Sequence, residues 1–376
     1  MKTVSIRAAA LAAAALVLCL SFSSCDLLGL IGVDPTDDAL YAANVDAYSG
    51  TLAGNATFAA GRVSYVSSTL YVPSGATLTI QPGAIVKFAI GAGIDVQDGG
   101  RIVADGTVEA PILFTAIADD AAGGDSQLNG SLIAPVAGSY SYIWIHLNSS
   151  ANVFDHCEFR YGGANDQSVL YLDGAASVTN CDFHDNSGGV PGGTANEAVL
   201  HVQVYNAATV LTGNRFWNNR WPLAIPVNMD LDDSNEFSYD HDGDAGTADL
   251  VNVYKQIFVS TYDRGATIER PVSWSETELP FCVHDDVILI GTETVSGSLT
   301  LANGVVLKFA AAAGLSIEAS GVLTGALAEF TSIDDDSLLG DARNDGTAGG
   351  IAVWDGIWDV DSDAYLAWAN IHYSAN

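Results

Sequence analysis

Apolar positions along this chain come in short runs, clustered or alternating, and each run is stopped by glycine or a polar turn. In Leu78–Ala104 (LTIQPGAIVKFAIGAGIDVQDGGRIVA) they are Leu78 and Ile80, then Ile85, Val86 and Phe88, then Ile94 and Val96, then Ile102. No helical period connects them, and the pattern predicts brief strands about every eight residues, joined by turns. The whole stretch recurs without a gap as Leu299–Gly325 (LTLANGVVLKFAAAAGLSIEASGVLTG). After a short deletion the copies rejoin, FTAIADD from Phe114 matching FTSIDDD from Phe330. A repeat this long means that each copy buries the same faces against similar neighbours.

A second pattern lies between the copies. FDHCEFRYGG from Phe154, VTNCDFHDNS from Val178 and LTGNRFWNNR from Leu211 superimpose: an apolar residue, two spacers, Cys or Asn, one spacer, then Phe. Phe159, Phe183, Phe216 and then Phe237 therefore fall at one position of successive turns of a parallel β-helix. In that register Cys157 lies one coil beneath Cys181. Adjacent parallel strands sit about 4.8 Å apart, so the pair admits either a disulfide or two buried, inert thiols. The end of the chain, LAWANIHYSAN, resembles VFDHCEFRYGGAN, with Tyr373 at the position of Tyr161. The chain thus reads as all-β, a solenoid of two repeat blocks, 50–250 and a shorter 251–376. Lys87 and Lys308, beside Phe88 and Phe309, are expected to snorkel outward, since a buried unpaired charge is costly.

Composition narrows the function classes. Hydrophobic residues make up 49% and charged ones 15%, so a disordered tail is excluded; 38 glycines suit the many turns. Thirteen Lys and Arg against 45 Asp and Glu give a net charge of −32. Such a field repels nucleic acid and attracts divalent cations. No HExxH appears, and no glycine loop links a strand to a helix, so zinc and nucleotide chemistry have no support.

Met1–Ser24 carries Lys2 and Arg7, the apolar run Ala8–Leu20 and then small residues, the layout of a secretory signal too short to span a bilayer comfortably. Its end, Phe22-Ser23-Ser24-Cys25, resembles a bacterial lipobox with Phe22 where Leu is usual. The resemblance implies lipid attachment at Cys25 and a membrane-anchored place in the cell envelope, at the outer membrane or surface. The rival reading is a plain secretory signal. Residues 25–49 read as a tether.

Gly75–Phe88 (GATLTIQPGAIVKF) and Pro111–Asp120 (PILFTAIADD) resemble the motifs of right-handed parallel β-helix proteins of the pectate-lyase-like superfamily, in particular its surface-lipoprotein repeat members. Gly297–Phe309 fits the first motif less closely, with Asn303 in place of Pro82. The resemblance implies a three-faced solenoid and says little about ligands. The hydrolase family's NTD, GHG and RIK motifs are absent, and no catalytic residue is assigned. Asp240, Asp242 and Asp244 alternate along one loop, a spacing able to wrap oxygens around Ca²⁺. Asp341 and Asp345 resemble a family GDxNxDG loop in which Arg343 replaces the expected Asn. Trp217, Arg220 and Trp221 are candidates for glycan contact. The expected function is non-catalytic adhesion or glycan binding to a polysaccharide or surface protein. A polysaccharide lyase or glycoside hydrolase, and a purely structural envelope protein, are the alternatives.

Overall fold

The computed structural model describes residues 44–126, 133–191, 197–240, 242–244, 247–346 and 351–375. Short strands pair in parallel with the strand one coil above and one below, building three ladders. The first stacks residues 63–66, Ile85–Phe88, Ile112–Ala116, Cys157–Arg160, Asp182–His184 and Arg215–Trp217. The second stacks residues 70–72, Ile94–Val96, Ile143–Ile145, Leu170–Leu172, Leu200–Val202 and Leu223–Pro226. The third stacks Ala56–Phe58, Thr77–Ile80, Arg101–Asp105, Asn152–Asp155, Ala176–Thr179 and Val210–Thr212. One long strand, Val63–Val72, bends from the first ladder into the second and joins them as a 16-stranded sheet. Val45–Thr51 already pairs with it in parallel, so coil formation starts inside the stretch read as a tether. Among the described residues no helix is long and apolar enough to cross a membrane.

Alternation decides what lies inside. Successive strand residues point to opposite sides, and the inward ones are apolar and fully buried, such as Ile143 and Ile145, Leu170 and Leu172, Leu200 and Val202. The phenylalanine register holds: Phe114, Phe159, Phe183, Phe216 and Phe237 stack nearly parallel at centroid spacings of 4.7, 4.6, 5.0 and 5.2 Å. Offset stacking of this kind adds about 0.5–1.5 kcal/mol per pair beyond burial. The Cys-or-Asn position is also one column. Cys157 and Cys181 are buried free thiols, and Asn214 Oδ1 accepts the Cys181 N–H at 3.0 Å while its Nδ2 donates to Val178 O and Asn235 Oδ1. A second column, Asn186, Asn219 and Asn252, satisfies the corner after the first ladder in the same way. Before the first ladder the corner is left-handed, with φ 47° at His156, 53° at Asn180 and 66° at Gly213. Asn and Gly tolerate that region at least cost.

The two lysines differ from expectation. Lys87 and Lys308 do point away from the interior, but each is fully buried beneath the loop that follows the next strand. Lys87 Nζ donates to Gly124 O at 2.7 Å, and Lys308 Nζ to Asp335 O and Gly340 O, both at 2.7 Å. Thr115 and Thr331, their partners one coil on, donate to Asp119 and Asp335 of the same loops. Burial draws the Lys87 ammonium down to about 8 against the pull of Asp119, Asp120 and Asp125. The loop supplies the hydrogen bonds that a snorkelling side chain would have sought from water.

The two repeat copies sit one face out of phase. The first ladder ends where Ser238–Tyr239 folds against Leu250–Val251 as an antiparallel hairpin. Ile257–Ser260, Phe281–Val283, Val306–Phe309 and Glu329–Ser332 then extend the second ladder. Two new ladders complete the block, one of Thr267–Ile268, Val287–Ile290, Gly314–Ile317 and Ile357–Asp359, the other of Pro271–Trp274, Gly297–Leu301 and Gly321–Thr324. Hence IVKF (85–88) lies in the first ladder, whereas its repeat VLKF (306–309) lies in the second. Beside the second ladder, the seam is joined by the Leu231–Trp274 bridge and by Asp230, Asp233 and Glu278 accepting the N–H of Ser273, Thr277 and Phe237. Glu276 is buried there with Oε2 unpaired. Burial, with Glu278 and Asp233 nearby, pushes its carboxyl up to about 8.

Candidate functional site

The residues singled out in the sequence do not converge. Cys25 and the signal segment lie outside the described residues. Asp240, Asp242 and Asp244 are on the exposed hairpin tip, where Asp240 Oδ1 accepts the Gly243 N–H at 2.7 Å and Asp242 Oδ1 the Asp244 N–H at 2.9 Å. Asp341 caps its own loop through the N–H groups of Arg343, Asp345 and Gly346. Arg343 pairs with Asp334 at 2.9 Å and lies 3.8 Å from Asp345. Among the described residues, no three His, Cys, Asp or Glu side chains gather as a metal-holding group. Trp221 cannot stack on a sugar: it is fully buried, packed edge-on to Phe258 at 5.4 Å with Ala198 and Ala224 around it. Arg220 ties two loops together, donating to Asp166 Oδ1 at 2.7 Å and Gly188 O at 3.3 Å.

Trp217 belongs to the outward side of the first ladder, which carries a charge network. Arg160 donates to Asp119 through Nε and Nη2 at 2.8 and 2.6 Å and to Glu158 at 2.8 Å. Arg215 grips Asp182 with two 2.8 Å bonds. His184 sits between Asp185 (2.7 Å) and Glu158 (3.0 Å). Burial works against its charge, but the two carboxylates outweigh it and hold the imidazole pKa above its ordinary value. Trp217 is sandwiched between His184 and Tyr239 at 4.6 Å each, and only 9% of it is exposed. Arg160, Arg215 and His184 each have a carboxylate within bonding distance, so the network holds coils together and leaves little of their charge free to bind.

The outward side of the second ladder is built otherwise. Register places Asp95, Trp144, Tyr171, His201, Ala224 and Phe258 in one column. The Trp144 ring stacks on His146 at 4.2 Å and meets Tyr171 edge-on at 5.9 Å; Tyr171 lies 5.0 Å from His201. Trp144 Nε1 donates to Asp173 at 2.8 Å, which fixes the indole. Two depressions open along the column and share Tyr171 and Glu197. One of about 180 Å³ is lined by Tyr142, Trp144 and Gln167. The other, of about 420 Å³, is lined by His201, Gln203, Tyr262, Asp285 and Asp286. From the Trp144 strand to the Phe258 strand the groove spans four rungs, about 19 Å at the parallel-strand spacing.

Its polar groups are under-used. His201 is 3% exposed, and neither ring nitrogen has a hydrogen-bond partner. Burial draws its pKa down to about 4, opposed by the Gln203 side chain, so the imidazole is neutral near pH 7. Asp95 and His146 lie 3.1 Å apart without hydrogen-bond geometry. Burial raises the carboxyl of Glu197, against the Ser168 N–H it accepts, and likewise that of Asp173, against the Trp144 indole. A concave apolar strip with a few convergent polar groups is the general form of a ligand site. None of Trp144, Tyr171, His201 or Glu197 was singled out from sequence. Unequal loops between them hide their register, and only the coil pairing restores it.

Residues 50–169 match the family model described as a pectate-lyase like beta helix domain. No curated protein and no solved structure matches the chain. The matched stretch spans the early coils and ends after Trp144, before Tyr171 and His201, and the later coils continue its second ladder. A β-strand connected to its parallel neighbour winds right-handed almost without exception; the chain is a right-handed parallel β-helix repeat protein, and its residues 50–169 are similar to a pectate-lyase-like β-helix domain.

Proposed function

We propose that the protein is an exported, lipid-anchored β-helix that binds a glycan chain along the outward side of its second ladder. The observation that carries this reading is the column Trp144–Tyr171–His201, presented along an open groove with acceptor groups on its flanks. Aromatic faces pack against the C–H faces of sugar rings, while hydroxyls seek carboxylate, amide and imidazole partners at the edges. Two adjoining depressions that cross several coils suit an extended polymer better than a compact metabolite. The bare arginine or lysine that a lyase would use as base has no counterpart among the described groove residues, and Arg220 is held by Asp166. Binding without cleavage is therefore the reading adopted.

The test is calorimetric titration with neutral and charged oligosaccharides. Trp144→Ala is expected to weaken binding at least tenfold, about 1.4 kcal/mol, in protein that unfolds cooperatively as the parent does. Equal affinity in the variant would end the proposal, and release of reducing ends or unsaturated product would replace it with the enzymatic reading. Anchoring is tested separately: Cys25→Ala should move the protein from the membrane to the soluble fraction. Attachment by acyl chains contributes about 0.8 kcal/mol per buried CH₂, which the variant would forfeit.

A further inference from the structure

The charge inventory of the groove selects among glycans. Glu197 lines both depressions, and Asp285 and Asp286 stand at the far end of the larger one. No cation forms an ion pair with Glu197 or Asp285 among the described residues; Asp286 accepts a hydrogen bond from Thr261. No Lys or Arg lines either depression, and Arg220 and Arg343 are held by Asp166 and Asp334. His201, nine-tenths buried and unpartnered at both ring nitrogens, faces the same space and is neutral. The groove therefore offers uncompensated negative charge, one neutral imidazole and aromatic faces, within a chain of net charge −32. A uronate polymer would place carboxylates against carboxylates in a site with no metal-holding cluster among the described residues.

Resting on the glycan-binding reading above, we propose that the groove is selective for glycans bearing free amino groups, accepts neutral ones more weakly and rejects uronates. A sugar ammonium beside Glu197 or the Asp285–Asp286 pair supplies the cation that the protein omits. A charge-assisted hydrogen bond of that kind is about twice as strong as a neutral one. The matched pectate-lyase-like scaffold would then present a site of opposite charge preference to an acidic-sugar binder.

The experiment titrates the full chain with three hexamers: β-1,4-linked glucosamine, β-1,4-linked glucose and α-1,4-linked galacturonate. The expected order is amine, then neutral, with no uronate binding at low salt. Because any polycation is drawn to so acidic a protein, Glu197→Gln is the deciding variant. It should weaken the glucosamine hexamer about fivefold more than it weakens the glucose hexamer, while Asp361→Asn, on a distant exposed turn, should change neither. Uronate binding as tight as glucose, or equal loss for both hexamers in Glu197→Gln, overturns the charge selectivity while leaving glycan binding in place. So does an equal loss from Asp361→Asn, which would show diffuse attraction only. No binding of any hexamer, or binding indifferent to Trp144→Ala, overturns both readings.

Discussion

The outward sides of the first and second ladders are made by the same coils, with the same strand geometry, and differ in how their polar groups are spent. On the first, Arg160, Arg215 and His184 each close on a carboxylate, and the one large aromatic, Trp217, is sandwiched. On the second, His201 has no well-formed hydrogen bond beyond the nearby Gln203 side chain and Glu197 no ion pair among the described residues, while Trp144 and Tyr171 line open space. Buried or half-buried polar groups that satisfy one another stiffen a scaffold; those left wanting are free for a ligand. Chemical content alone does not separate the two faces, since both are rich in acids and aromatics. Mutual satisfaction does.

The comparison can be broken most severely on the first face. Arg160→Ala leaves Asp119, only 3% exposed, without its guanidinium. Loss of one partner of a buried pair should cost about 3 kcal/mol in urea unfolding, with glycan affinity unchanged. A loss below about 1 kcal/mol would show that the network is ornamental.

The two histidines provide an intermediate effect with opposite signs. For His201 the folded pKa is depressed to about 4, so the unfolded chain binds the extra proton first. Its contribution is present above the unfolded value near 6.5 and is lost as pH falls toward 4. Between pH 7 and 5 the loss should reach about 2 kcal/mol, and His201→Phe should flatten that limb of the stability curve. For His184 the folded pKa is raised. Its contribution is full below about 6.5 and is lost as pH rises through the folded value. His184→Gln should therefore destabilise at pH 6 and lose that effect at alkaline pH. Parallel pH curves for the two variants would remove the distinction between the faces.

The smallest expected effect is a null one. Trp217→Ala should leave glycan affinity within twofold of the parent, whereas Trp144→Ala lowers it at least tenfold. The reverse result would return the site to the first ladder.

Much of the scaffold was legible in the sequence, because coil stacking imposes column identity. The phenylalanine column and the Cys-or-Asn column were both readable from three aligned lines, and Tyr161 and Tyr373, aligned by the same logic, both adopt left-handed φ, 66° and 55°. What escaped were facts about neighbours. Lys87 and Lys308 looked exposed because the loops that cover them are irregular and leave no strand pattern. Trp221 looked available because its burying partner, Phe258, belongs to another coil beyond the acidic hairpin. The phase slip between repeat copies was invisible because aligned repeats preserve the internal geometry of a coil and not the identity of the coil beneath it. The site escaped for the same reason: Trp144, Tyr171 and His201 become a column only once the intervening loops are looped out.

The slip has a mechanical meaning. In a solenoid the hydrogen bonds run along the axis, so a pull on its ends loads the ladders in tension. Elsewhere several ladders share that load, but at the seam the second ladder carries consecutive pairs across alone, Leu223 to Ile257 through Pro226 to Ser260. That ladder carries most of the load across the seam, helped by the Leu231–Trp274 bridge and a few side-chain bonds. Glu276 tunes the seam: with a folded pKa raised to about 8, its contribution is full below the unfolded value near 4.5 and lost as pH rises through 8. A rod built this way would part between its two blocks first, and more readily in alkali.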